Sequence, residues 1–361
     1  MKRQRREVSE MMMMKFLLLA VPLSIAAEVL HWSSATVFIA SCMAIIPLAM
    51  YMGIATEEIA HVVGYQWGGF LNATFGNATE LIIAFFALKA GLYDVVKASL
   101  AGSVMGNILL VLGASMFAGG LRHKVQTFNV DLVEVSSSML TFGAIGLCVP
   151  AIFLRSVGTG TLDSWRYEPL SLLIAVIMLG IYLLKMYFSF GSHREFYRQE
   201  EENGGEFEGQ WGVRKAIVVL LATTIIIAVE SEFLVASIIP VTQEWGISEF
   251  FVGIILIPIV GNAAEHSTAI WMAMKNKMDV AIEIAVGSSL QILLFVMPLL
   301  VILGALIDRT MSIVFIDVEV ASILVAVWIA NRVAGDGQSN WLEGVQLMAV
   351  YLLIGICFYW L

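Results

Sequence analysis

Two short runs of the 361-residue chain repeat one polar pattern inside apolar sequence: Gly76, Asn77, Ala78 and Glu80 in the first, Gly261, Asn262, Ala263 and Glu265 in the second. In each run the amide and the carboxylate stand three residues apart, so on a helix they share a face. Each run offers a neutral and an anionic oxygen together. A carboxylate at bilayer depth costs roughly 2.5 to 3.5 kcal/mol on insertion scales, so it needs a cation or a proton beside it. Neither Glu80 nor Glu265 has a Lys or Arg within a helical turn, which makes a structural ion pair a poor account of them. Two carboxylates and two amides, completed by backbone or water oxygens, match the flexible shell of about six to eight oxygens that Ca²⁺ prefers. Two such acids close together repel one another, and protons and a divalent cation then compete to neutralise them.

Further polar residues follow each run. Ser103 and Asn107 come after the first, and Ser288, Ser289 and Gln291 after the second. They can complete a cation site or gate it, with helix–helix hydrogen bonding as the competing role. Gln291 aligns with Gly106 and breaks the polar symmetry. His266, next to Glu265, is a candidate to tune that carboxylate or relay a proton, against a packed histidine. Glu57 and Glu58, near the end of one apolar run, and Glu230 and Glu232, within another, are expected as vestibule or gate acids at roughly corresponding places. Gly76 and Gly261, with Pro258 one turn before Asn262, can break their helices and free carbonyls toward a cavity; close helix packing accounts for the glycines equally well.

The elements that must position these residues are membrane spans. Only 14% of the residues are charged and 59% are apolar, where soluble domains carry about 25% charge. Apolar runs predict an all-α polytopic protein with eleven crossings, near 15–32, 34–55, 68–90, 94–120, 132–154, 168–190, 212–239, 247–274, 279–306, 311–333 and 341–360. The first two spans are separated only by Trp32, Ser33 and Ser34. A net charge of −9 disfavours nucleic-acid binding, and Cys42, Cys148 and Cys357 lie in apolar runs as packing residues. Fifteen Lys and Arg fall on one side and five on the other (Lys89, Lys97, Arg155, Arg166 and Arg309). The positive-inside rule then puts the N-terminus in the cytoplasm and the C-terminus outside. A basic start and an apolar run from Phe16 also fit a signal peptide with a small-residue cleavage site at Ser24 and Ala26, but Pro22 and the multi-span body favour an anchor.

Residues 76–103 align without a gap to 261–288, at a constant offset of 185, and nine positions are identical: Gly76, Asn77, Ala78, Glu80, Ala84, Asp94, Val95, Gly102 and Ser103 meet their own kind. An odd number of expected crossings separates the copies, so they traverse the bilayer in opposite senses. Inverted repeats of this type are a hallmark of secondary transporters, whose sites lie at the midplane between the halves. The expected organisation is a basic tail and accessory helix over 1–33, a first half over 34–190, an acidic cytoplasmic loop over 191–211 and a second half over 212–361. That loop gathers Glu195, Glu200, Glu201, Glu202, Glu206 and Glu208. It is either a solvated linker or a cation-attracting, regulatory segment.

With these paired motifs the sequence resembles the calcium/cation antiporter superfamily, and within it the cation/proton exchanger branch that includes microbial Ca²⁺/H⁺ antiporters. The resemblance covers nearly the whole chain. It implies eleven helices with an accessory first one, an acidic cytoplasmic helix between the halves, and export of Ca²⁺ against protons. Matching positions carry over Asn77, Glu80, Ser103, Asn262, Glu265, Ser288 and Gln291 as site residues. The Na⁺/Ca²⁺ branch favours motifs of the Gly-Thr-Ser type followed by Pro-Glu, absent here, which argues against Na⁺ coupling and leaves Na⁺ open as a secondary substrate. A cation/proton antiporter for another ion and a cation channel with acidic rings are the rival readings. No HExxH, GxSxG or phosphate-binding glycine loop is present, so no enzyme chemistry and no resident cofactor is expected. Ca²⁺ and H⁺ are the expected substrates and the lipid bilayer the expected surroundings, with a homo-oligomer open. With no long extension before the first span, a microbial plasma membrane is the expected location.

Overall fold

The computed structural model describes residues 16–157, 164–192 and 211–361. In chain order its helices are α1 (Ala20–Val29), α2 (Ser34–Val63), α3 (Tyr65–Phe75), α4 (Ala78–Lys89), α5 (Tyr93–Gly120), α6 (Val130–Val157), α7 (Ser164–Tyr187), α8 (Val213–Trp245), α9 (Glu249–Gly261), α10 (Ala263–Met274), α11 (Met278–Leu306), α12 (Asp317–Val333) and α13 (Trp341–Tyr359). Among the described residues, α2, α5, α6, α7, α8, α11 and α13 are long and apolar enough to cross a bilayer. The pair α9 and α10, bent by 60° at its break, adds an eighth. Helices α1, α12 and the interrupted α3 and α4 fall short of that measure, so the eleven expected crossings are met in part.

Helices α1 and α2 are separate, because the Ser33 hydroxyl caps α2 by accepting the Thr36 N–H. Helix α2 runs past its expected end at 55 to Val63 and stops at Gly64, whose φ of +84° favours glycine. The extra turns hold because Glu58, buried on α2, accepts the Trp211 N–H at 3.1 Å. Ser24 is fully buried and donates to Glu230 Oε1 at 2.6 Å, tying α1 to α8. The acidic cluster from Glu195 to Glu208 and the basic start lie outside the described residues.

The core is organised around α5. Within its apolar stretch 89% is buried, against 28% for α7 and 22% for α13, so α5 is central and the other two turn most of their surface outward. Leu183, Leu184, Leu352 and Leu353 are among the large apolar side chains they leave exposed, as expected where lipid is the solvent. The first half of α5 packs backbone to backbone on α9: a Cβ added at Gly102 would fall 2.0 Å from the Ile254 carbonyl oxygen, so only glycine fits there. Helix α8 lies along α2, and α10 lies against the second half of α5. A two-residue antiparallel ladder, β1 (Gln126–Thr127) with β2 (Gln338–Ser339), joins the α5–α6 and α12–α13 connections.

Irregular turns recur at the spacing of the sequence repeat. The chain leaves helical geometry at Asn77 (φ −104°, ψ 23°) and again at Asn262 (φ −90°, ψ 9°). Wide π turns interrupt α5 at Gly106–Val111 and α11 at Ile292–Val296. Such turns inside helices frequently accompany functional sites, and here they flank one.

Candidate cation-binding site

Both helix breaks meet in the interior, and hydrogen bonds cross from one sequence copy to the other. Asn77 Nδ2 donates to Gln291 Oε1 at 2.5 Å, and Asn77 Oδ1 accepts from the Ser288 hydroxyl at 2.9 Å. Asn262 Nδ2 donates to the Ser103 hydroxyl at 3.1 Å and to the Pro258 carbonyl at 3.0 Å. Each asparagine stands at the start of the helix that carries its acid. Its amide is thereby locked against the other copy, which fixes the rotation of that helix.

The acids cross over as well. A Cβ added at Gly261 would lie 3.0 Å from Glu80 Oε1, and one added at Gly76 would lie 3.6 Å from both Glu265 Oε1 and Gln291 Oε1. Each carboxylate rests against the glycine of the opposite motif. Both glycines leave room for an acid, in addition to serving the turns. A small cavity on the Glu80 side, bordered by Ile83, Ser99, Leu100, Ser103 and Ile257, has room for about one water molecule or ion.

Glu80 Oε2, Glu265 Oε2 and Asn262 Oδ1 are buried acceptors without a donor among the described residues. Buried polar atoms are nearly always paired, and buried charge demands a counter-charge. Among the described residues no three His, Cys, Asp or Glu side chains gather in one place. The two acids therefore act with amides and hydroxyls, an all-oxygen set suited to a hard cation or to protons rather than to a thiolate- or imidazole-bound metal.

The remaining candidates are distributed unevenly. Asn107 Nδ2 donates to Ser288 at 3.1 Å, which turns its oxygen to His266 Nε2, also at 3.1 Å. Nε2 is therefore the donating nitrogen, and His266 is linked to Glu265's neighbours through Asn107 and Ser288. Ser289 turns back to the Ala285 carbonyl at 2.8 Å. The Pro258 carbonyl is taken by Asn262 through both its backbone and side-chain nitrogens. Glu57 and Glu232 are exposed. Glu58 and Glu230 are buried and bonded to Trp211 and Ser24 rather than to the crossed motifs in the bonds described. These two acid pairs do not occupy equivalent places: at the 185-residue offset Glu57 meets Thr242 and Glu230 meets Ile45. Ser99, at the Glu80 cavity, was not singled out in the sequence, although its i, i+4 spacing from Ser103 places both on one face.

The model for the family described as "Sodium/calcium exchanger protein" matches residues 33–191 and 215–360. A Bacillus subtilis protein named Ca(2+)/H(+) antiporter ChaA is 46% identical over 352 residues, covering 95% of this chain and 98% of that one. A Synechocystis sp. protein named Ca(2+)/H(+) antiporter is 45% identical over 358 residues, covering 95% and 96%. The solved structure of native YfkE superposes with a TM-score of 0.84 at 43% identity, over 96% of this chain and all of that one. A family match over both copies of the motif, with relatives of this identity along almost the whole length, means that the chain belongs to the sodium/calcium exchanger protein family.

Proposed function

We propose that this chain is an antiporter that carries Ca²⁺ out of the cytoplasm in exchange for protons, with Glu80 and Glu265 holding the two cargoes in turn. One observation carries the reading: two carboxylates from separate sequence copies converge, each with a buried oxygen that has no donor among the described residues. The Ca²⁺/H⁺ antiport in the names of the Bacillus subtilis and Synechocystis relatives supports the choice of cargo. Asn77, Asn262, Ser103, Ser288 and Gln291 position the acids or add oxygens, and Asn107 and His266 extend the polar network from them.

In this reading α3 with α4 and α9 with α10 are broken spans, which gives eleven crossings: an accessory helix within 1–33, two inverted halves over 34–190 and 212–361, and the acidic loop 191–211 between them. The recurrence of the breaks and of the π turns supports the repeat. The excess of Lys and Arg supports a cytoplasmic N-terminus and an outer C-terminus, in a microbial plasma membrane. The cytoplasmic half of the second broken span is α10, where Glu265 and His266 are half-buried and Ser267 and Thr268 exposed. The outer half of the first is α4, with Glu80 buried. This contrast supports a cytoplasm-facing state. Ca²⁺ arriving along α10 displaces protons, the filled or protonated site crosses, and the bare dianion does not, since its charge is too costly to carry through the core.

The test is ⁴⁵Ca²⁺ uptake into inside-out vesicles with an acidic lumen. Uptake that collapses the pH gradient, and is lost in Glu80→Gln and Glu265→Gln, is the expected result. Normal proton-coupled uptake in either variant would refute the mechanism, and Ca²⁺ flux without proton movement would indicate a channel.

A further inference from the structure

We infer that Lys97 is a positioning residue of the exchange cycle: its ammonium pins the extended segment 311–316 across the outer end of the ion path, and its release lets that end open. The inference rests on the antiport reading and orientation just proposed.

Lys97 lies near the start of α5, half-buried, and its Nζ donates to the Val314 carbonyl at 2.7 Å and to the Ser312 hydroxyl at 3.1 Å. The segment it holds joins α11 to α12 and alternates like a strand. Met311, Ile313 and Phe315 are 4%, 0% and 4% exposed, plugging the bundle end, and Ser312 and Val314 present oxygens to the ammonium between them. The Ile313 N–H adds a bond to Ser171 at 3.2 Å. Asp94 and Glu319 lie within Coulombic reach of Lys97. Glu319 Oε2 accepts the Ile316 N–H at 2.9 Å, while Oε1 is buried without a donor.

This cluster lies about one turn nearer the outer start of α5 than the residues at the Glu80 cavity. Ser99 and Leu100, at that cavity, fall within one turn of Lys97 on α5. A cation leaving Glu80 for the outside therefore meets first these residues and then the ammonium with its plug. The repeat supplies the control. At the 185-residue offset Lys97 meets Ile282, segment 311–316 meets 126–131, and Glu319 meets Glu134, which is exposed where Glu319 is buried. At that opposite end the segment is tied by the β1–β2 ladder and by Gln126, whose Nε2 donates to the Ala273 carbonyl at 2.8 Å. Those ties are main-chain and amide bonds plus one carboxylate, Asp279 Oδ1, which accepts the Asn129 N–H; no ammonium takes part in them. The outer tie is one charge on a flexible four-carbon stem, which an approaching dication repels. Occupancy of the outward path and release of the plug are thus coupled by like charge.

The experiment uses the full chain with Cys42, Cys148 and Cys357 replaced by Ser and one reporter, Ser99→Cys, in right-side-out vesicles exposed to a membrane-impermeant maleimide. Lys97→Met should raise the labelling rate about tenfold, as expected when a minor open state of a few per cent becomes a major one. Lys97→Arg should restore slow labelling, and Ser312→Ala should fall between. In inside-out vesicles Lys97→Met should also raise the cytoplasmic KM for Ca²⁺ several-fold, because the cytoplasm-facing fraction falls; a merely structural role would leave KM unchanged in the protein that folds. Equal labelling in Lys97→Met and its parent overturns the inference. Should Lys97→Met fail to reach the membrane, unchanged labelling in Ser312→Ala overturns it instead. Ca²⁺/H⁺ exchange is scored separately in the chain with Ser99 intact: its absence removes the antiport reading, whereas exchange there with unchanged labelling in the reporter pair removes only the role of Lys97.

Discussion

On α4, Glu80 has Ala78, Thr79, Ile83, Ala84, Ala87 and Leu88 buried around it; on α10, which carries Glu265, only Ala269 and Ala273 are buried. The two helices have the same length and begin at the same kind of break, and their acids occupy the same register. What differs is the packing on the far side of each helix. Similar local sequence is thus held in one tight and one open setting. The hydroxyl bonding differs too. Ser288 donates to Asn77 and accepts from Asn107, whereas Ser103 accepts from Asn262.

The largest test of this comparison removes either acid. Glu80→Gln and Glu265→Gln should each reduce proton-coupled ⁴⁵Ca²⁺ uptake by about 100-fold or more, since stranding one member of a buried charged set costs about 3 to 5 kcal/mol. A large loss from one substitution alone would mean that the acids are not partners. Next is Gly261→Ala, whose methyl would crowd Glu80 Oε1 at 3.0 Å. Overpacking costs about 1 to 3 kcal/mol, so apparent Ca²⁺ affinity in the same assay should fall about tenfold. Packing predicts a contrast of similar size in access: in inside-out vesicles Ser267→Cys should react with an impermeant maleimide at least about tenfold faster than Ala84→Cys, since reactivity follows exposure. Ser288→Ala should weaken Ca²⁺ affinity more than Ser103→Ala, by the roughly 1 kcal/mol of one extra hydrogen bond; equal effects would remove the asymmetry in hydroxyl bonding. Smallest for transport is Ser24→Ala. It deprives Glu230 of its donor and should lower stability in detergent by about 1 to 3 kcal/mol, seen as a reduced Tm, while exchange per folded molecule stays near normal.

Much of the site is readable in the chain because its signal is polar and periodic. Asn77 with Glu80 and Asn262 with Glu265 stand out against apolar surroundings, and the constant offset of 185 survives as matching breaks and π turns. What could not be read depends on contacts between residues far apart in sequence. Ser24 and Glu230 are 206 positions apart, and Lys97 and Val314 are 217 apart; neither pair leaves a local pattern. Glu58 and Glu230 read in the sequence as vestibule or gate acids, yet donors from distant segments allow both to be buried. The end of α2 was placed too early for the same reason: a buried acid with a partner does not terminate a helix.

The crossed hydrogen bonds have a consequence for how the two copies depend on each other. Asn77 is held by Ser288 and Gln291, Asn262 by Ser103, and each acid lies against the other copy's glycine. Neither copy completes this seam of hydrogen bonds alone, so a change in one is felt at once in the other. Asparagine, glutamate, glycine and serine match at the seam, while most apolar positions between them, Ala78, Ala84 and Val95 excepted, differ between the copies.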